Sequence, residues 1–227
     1  LQFMYDRAAA DLDQKLFDAW STSFADLTAN VRRNRQREVR NFCLYRQRTE
    51  PNCFVPDPNR FPRPCPYCAP VIFGPDAVAR MLAIAGQQRA TPGSPLLPAV
   101  LRMAVILLYT AGLRRGELLR LTLADADPTA GVLRIRESKF HKSRFVPLSL
   151  DAGRELRAYL RQRLVPPLST APDAPLLCNC TRGLRAYTGT GLSRGLQLLI
   201  RSANVQSTDG RRPRIHDFRH SFAVQAL

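Results

Sequence analysis

The sequence predicts a mainly helical α+β protein in which one small antiparallel β-sheet is set among helices. Three observations predict it. Apolar residues recur at helical spacing through most of the chain. Only residues 132–137 (VLRIRE) and 144–148 (RFVPL) have the composition of strands. Between residues 51 and 70 the prolines Pro51, Pro56, Pro58, Pro62, Pro64, Pro66 and Pro70 exclude a regular helix or a central strand. That break divides the chain into a partial helical domain at 1–50, a stiff Pro-rich linker at 51–70 and a larger domain at 71–227.

The elements follow in order. Leu12, Leu16, Trp20, Phe24 and Leu27 mark a helix within 8–27. In 31–48, Val39, Phe42 and Cys43 mark an apolar face, and Arg32, Arg33, Arg35, Arg37 and Arg40 crowd the rest of the helix, with Glu38 as the internal counter-charge. Gly74-Pro75-Asp76 starts a helix whose buried face is Val78, Met81, Leu82 and Ala85. A long apolar helix begins near Pro98 and ends at Gly112; a short one follows over 116–121. The two strands form a basic hairpin carrying Arg134, Arg136, Lys139, Lys142 and Arg144. Ser149 caps the next helix, 166–190 read as loop, and helices follow over 192–201 and from His216, with Phe218 and Phe222 inward.

Charge narrows the function. Thirty-four Lys plus Arg against 18 Asp plus Glu leave a formal net charge of +16. An excess of that size repels itself unless a polyanion neutralises it, so a nucleic-acid partner is expected. No apolar run is long enough to span a bilayer, and no secretory leader is read. No membrane partner is expected, and the location expected is the cytoplasm, on the nucleoid. Six cysteines are then expected as free thiols. Cys65 and Cys68 have metal-ligand spacing, but Cys178 and Cys180 do not complete a four-ligand zinc site. No metal and no cofactor are expected.

Three separated pieces carry chemistry. TAGLRRGELL at 110–119 presents Arg114 between two helices, the hairpin tip SKFHKSR at 138–144 presents lysines, and IHDFRHSFA at 215–223 places His216 and Arg219 one turn apart. Singly, each has a plainer reading. Arg114 could be a surface residue or pair with Glu117, Lys139 could be a solvated tip, His216 could cap a helix and Arg219 could pair with Asp217.

Together and in this order, with Asp125 after the first piece and Val146-Pro147-Leu148 closing the hairpin, they resemble the catalytic domain of the tyrosine recombinases, the phage-integrase family. The resemblance runs from about residue 71 onward. The Arg-rich helix and prolines before it resemble the end of that family's helical core-binding domain.

The resemblance implies a DNA strand transferase whose tyrosine attacks a phosphate, forming a 3′-phosphotyrosyl link. It assigns Arg114 and Arg219 to the phosphate oxygens, Lys139 to protonation of the leaving oxygen, His216 to proton movement or phosphate binding, and Glu117 and His220 to support. Two planar, always-charged guanidiniums suit charge that develops on non-bridging oxygens. Lys142 remains an alternative to Lys139, and Arg115 to Arg114. Duplex DNA is the implied partner, contacted by Arg32, Arg33, Arg35, Arg37, Arg40, Arg136, Lys142, Arg144, Arg212 and Arg214, and self-association on paired DNA sites is implied. Type IB topoisomerases share these catalytic residues. The chain's tyrosines are Tyr5, Tyr45, Tyr67, Tyr109, Tyr159 and Tyr187, and none follows His216, where the nucleophile belongs. The sequence is therefore expected to be a piece that binds DNA without cutting it. A non-catalytic relative and a Cys-rich RNA-binding zinc module are the other readings.

Overall fold

The structure is a computed structural model that describes residues 2–136, 143–181, 183–207 and 210–227. It divides into two compact units, one running to Cys68 and the other covering Ala69–Leu227.

The first unit contains α1 (Gln2–Tyr5), α2 (Gln14–Thr22) and α3 (Ala29–Arg46). Asp13 caps α2, accepting from the Leu16 N–H at 2.7 Å. Its centre is aromatic: the buried Phe17 lies 5.7 Å from Trp20 and 6.1 Å from both Phe54 and Phe61, ring centre to ring centre. Phe54 and Phe61 belong to the Pro-rich segment, whose residues up to Cys68 fall within this unit. The reason is hydrogen bonding. A proline-dense segment has more carbonyls than N–H groups; those of Asp57 and Pro58 accept from Arg60 and Phe61 within it, and others need donors from elsewhere. Arginines of α3 supply donors: Arg33 Nη1 to the Pro62 carbonyl at 3.0 Å and Arg40 Nη1 to that of Pro56 at 2.6 Å. Asn30 Oδ1 accepts from the Cys65 N–H at 2.8 Å. The inward residues of α3 are accordingly Gln36 and Cys43, while Phe42, expected inside, is exposed.

In the second unit α4 (Pro75–Gly86) buries Val78, Met81 and Ala85, as its spacing predicts. α5 (Leu97–Thr110) is apolar almost all round, with Val100, Leu101 and the run Met103–Leu108 buried. A helix of that kind sits at the centre. α4, α7 (Leu150–Arg163), α8 (Gly189–Ser202) and α9 (Asp217–Gln225) pack against it, and α6 (Arg115–Arg120) follows it directly.

The predicted hairpin is β2 (Val132–Ile135) and β3 (Arg144–Pro147), with Leu133 opposite Val146 and Ile135 opposite Arg144. Leu133 and Ile135 are buried and Arg134 is exposed, the alternation of a sheet with one wet face. A two-residue strand not foreseen, β1 (Ala126–Asp127), joins its edge. Asp127 Oδ1 accepts from the Thr129 and Ala130 N–H groups and so makes the turn between β1 and β2.

Segment 166–190, read as loop, contains the short hairpin β4 (Cys178–Asn179) and β5 (Arg185–Ala186). α8 begins earlier than expected because Thr188 caps it, accepting from the Gly191 N–H. Ser149 caps α7 as predicted.

Arg163, at the end of α7, is completely buried. It donates through Nε and Nη2 to the Pro175 carbonyl and through Nη1 to that of Ser169. The loop it holds pairs in turn with the chain after α6, through Leu123 N–H to the Ala174 carbonyl and Leu176 N–H to that of Leu121. Replacing Arg163 with Leu takes the donors from the Pro175 and Ser169 carbonyls and is expected to cost about 3 kcal/mol. Chemical denaturation of the variant measures it, and an unchanged stability contradicts the role.

Candidate active site

The site is built on the turn between α5 and α6. Gly112 has φ +57°, and a Cβ there would lie 2.3 Å from the Phe222 ring, so both backbone and space demand glycine. The turn delivers Arg114 to the head of α6. Glu117, one turn on, reaches back: Oε2 accepts the Arg114 N–H and Oε1 accepts from Arg114 Nη1, both at 2.9 Å. This is half of a capping box; an arginine side chain has no acceptor to complete it.

From the sheet, Arg144 grips the same carboxylate with both arms, Nη1 to Oε1 at 3.0 Å and Nη2 to Oε2 at 2.8 Å. Glu117 is 3% exposed. Burial pushes its pKa up, but Arg144 and the two Arg114 donors outweigh burial and hold it at about 2.

α9 brings the second arginine. Arg219 Nη1 donates to the Gly112 carbonyl, two residues before Arg114. Burial, then the Arg114 charge, lower the Arg219 pKa, and Glu117 opposes that effect. His216 stands at the head of α9 without a side-chain capping bond, and its ring is perpendicular to that of His220, 4.9 Å away. The His216 pKa is lowered by partial burial, then by His220 and Arg219, with Asp217 acting the other way. Each of these effects favours the uncharged imidazole except that of Asp217.

The position of α9 is fixed from behind. Ser221 Oγ accepts the Phe73 N–H and donates to the Asp217 carbonyl, each at 2.8 Å. Phe218 stacks on Phe73 with ring centres 4.4 Å apart. Asp217, buried, accepts from the Arg214 N–H.

The structure thus gathers Arg114, Glu117, Arg219, His216 and His220. Lys139 and Lys142 lie outside the described residues. Arg115 turns toward α8 and donates to Ser193 Oγ at 2.9 Å, so Arg114 is the arginine that faces Arg219. The other basic positions divide. Arg35, Arg37 and Arg212 are exposed. Arg32 reaches the Ala25 carbonyl, Arg33 and Arg40 reach the Pro-rich segment, Arg136 pairs with Asp125, Arg144 with Glu117 and Arg214 with Asp217. The site roles of Gly112, Arg144 and Ser221 were not foreseen. Gly112 could have been, as the glycine ending an apolar helix next to a predicted site arginine; Ser221 carried no signal.

No disulfide joins the six cysteines, and no group of three metal-ligating side chains that could hold an ion occurs among the described residues. No described helix is long and apolar enough to cross a membrane.

Fold and site define a mainly helical domain with a small antiparallel sheet and a cluster of arginines around one buried carboxylate. Residues 75–227 match the model of the phage integrase family. The chain is 33% identical over 191 residues to a putative integrase/recombinase, y4rB, of Sinorhizobium fredii, covering 83% of this chain and 60% of that protein. It is 33% identical over 126 residues to the tyrosine recombinase XerA of Thermococcus kodakarensis, covering 56% of this chain and 41% of that one. Among solved structures it resembles a post-cleavage complex of XerH recombinase bound to its difH substrate (TM-score 0.66, 18% identity, 95% of this chain and 59% of that one). It also resembles the Tn1549 transposon integrase in complex with circular intermediate DNA (TM-score 0.65, 14% identity, 94% and 72%). The chain belongs to the phage integrase family, the tyrosine recombinases. It spans about three fifths of the length of the first curated relatives it matches.

Glu117 sets an acid limit on this site. Its folded pKa, about 2, lies below its ordinary 4.5. The stability it contributes is complete above about pH 4.5 and is lost as pH falls toward 2. Glu117→Gln is expected to remove that part of the acid dependence and to lower stability at pH 7 by about 2 kcal/mol, read from denaturant midpoints across pH. NMR titration of His216 is expected to give a midpoint below 6.5; a midpoint above it contradicts the uncharged imidazole.

Proposed function

We propose that this chain is the DNA-gripping part of a site-specific recombinase. It breaks and rejoins DNA through a 3′-phosphotyrosyl intermediate, in integration, excision or transposition of mobile DNA. The observation that carries the reading is the convergence of Arg114 and Arg219 on one turn. With Arg144 there are three guanidiniums around the single carboxylate of Glu117, so two positive charges are left over. A ground-state phosphodiester carries one negative charge and the pentacoordinate transition state about two. The excess favours the transition state over the diester it comes from. Arg114 and Arg219 bind the non-bridging oxygens, and His216, uncharged, accepts the nucleophile's proton or hydrogen-bonds the phosphate. Lys139 protonates the departing 5′-oxygen.

The attacking tyrosine is not among these residues. Tyr159 is buried, donates to the Leu176 carbonyl and has its pKa driven well up by burial. Tyr109 pairs its hydroxyl with Gln225, and Tyr187 has its pKa raised by burial. Tyr5, Tyr45 and Tyr67 precede residue 69, outside the unit that holds the site.

Duplex DNA is the partner, held through the exposed Arg35, Arg37 and Arg212 as well as the cradle. Copies of the protein assemble on paired DNA sites, in the cytoplasm on the nucleoid.

Binding of a duplex oligonucleotide by this chain is expected to weaken at least about tenfold between 50 and 200 mM salt, because each neutralised phosphate releases condensed counterions. Anisotropy titrations measure it, and salt-independent binding sinks the DNA reading. A nicked suicide duplex is expected to be bound without a covalent adduct. An adduct formed by these 227 residues alone overturns the exclusion of their tyrosines.

A further inference from the structure

Two arginines that the sequence offers to DNA are held by the protein instead. Arg144, the first residue of β3, makes the two-armed pair with Glu117. Arg136, directly after β2, donates through Nη2 to Asp125 Oδ2 at 2.8 Å and to Thr122 Oγ1 at 3.1 Å. Asp125 is itself held by the Thr122 N–H and hydroxyl, at 3.0 and 2.9 Å. Glu117 and Asp125 are 3% and 4% exposed, whereas the arginine side chains keep 35% and 48% of their surface. Both carboxylates lie in the short stretch from α6 to the turn before β1. The two strands of the hairpin are therefore pinned at corresponding ends to the same piece of chain.

A buried carboxylate deprived of its cation is left uncompensated, so each pair holds its arginine in place more firmly than an exposed ion pair does. The Glu117 pair does more than hold a strand. Oε1 of Glu117 accepts from both Arg114 and Arg144, so Arg144 helps to decide where that oxygen lies, and the oxygen helps to decide where the Arg114 guanidinium lies. The charges facing Glu117 are Arg114 from the turn, Arg144 from β3 and Arg219 from α9.

We infer that Arg136 and Arg144 are positioning residues that pin the sheet to the α6 segment, and that Arg144 sets Arg114 through Glu117 without itself contacting phosphate. The part concerning Arg114 rests on the DNA-binding reading above; the pins do not.

The experiment compares duplex affinity and its salt dependence in the 227-residue chain. Arg212→Gln, which removes an exposed cation, is expected to lower the slope of log affinity against log salt by about one. Arg136→Gln and Arg144→Gln are expected to leave the slope unchanged. Arg144→Gln is nevertheless expected to weaken binding about tenfold at fixed salt, and to have no further effect when Arg114 is already Gln. A merely structural role would leave the two effects additive. Arg144→Lys, which keeps the charge and one contact, is expected to fold and to recover part of the affinity, and it replaces Arg144→Gln in the comparison where that variant does not fold.

A slope lowered by about one in Arg144→Gln, or additive costs with Arg114→Gln, overturns the positioning role. Unfolding cycles test the pins separately. Each pair, Arg144→Gln with Glu117→Gln and Arg136→Gln with Asp125→Asn, is expected to cost less together than the sum of its single changes. Additive costs overturn the pins. If the unaltered chain binds no duplex, the DNA reading and the Arg114 part fail together, and the unfolding cycles decide the pins alone.

Discussion

One buried carboxylate organises the second unit. Glu117 caps the backbone of the turn that presents Arg114, takes that residue's guanidinium, and ties β3 through Arg144. A buried carboxylate without a cation is costly, so Glu117 depends on the partly exposed arginines that face it. Because the arginines outnumber the acid, the cluster stays cationic after it has satisfied itself. An arginine cluster with no internal acid would be disordered by its own repulsion, and one fully matched by acids would hold no attraction for phosphate.

The second requirement is that α9 reach this cluster from far along the chain. The Gly112 carbonyl receives Arg219, and the Phe222 ring fills the space a side chain at 112 would need. The arginine and the ring lie one turn apart on α9 and close on the turn from two sides. Glycine is thus specified twice at one position, by a positive φ and by packing, and each specification serves the meeting of two helices.

Much of this was legible in the sequence. α4, α5 and the β2–β3 hairpin follow from apolar spacing, and Gly112, Ser149 and Pro75 mark the boundaries they are expected to mark. Arg114, His216 and Arg219 were found because their separation along the chain is characteristic, and the fold brings them together. What escaped was cross-chain pairing. Nothing local distinguishes Arg144, bound to a buried acid, from Arg212, which faces solvent; the difference lies in which carboxylate folding brings near. The same blindness applied to the Pro-rich segment. Its composition reads as a spacer, but carbonyls of Pro56 and Pro62 find arginine donors on α3, and Phe54 and Phe61 pack near Phe17 of α2. Phe42 went wrong because periodicity locates a stripe, and the stripe shifted toward Arg33, Gln36, Arg40 and Cys43 once that segment covered it.

The hydrogen bond from Phe73 to Ser221 joins residues 148 positions apart. With the Phe73–Phe218 stack, it makes the beginning of the second unit a wall against which its last helix docks. Closing so long a loop is slow and comes at a high entropic cost, so local helices form before it. Arg219 meets the Arg114 turn only when α9 docks against residues near the start of the second unit, so the geometry of this arginine cluster depends on a contact between distant parts of the chain.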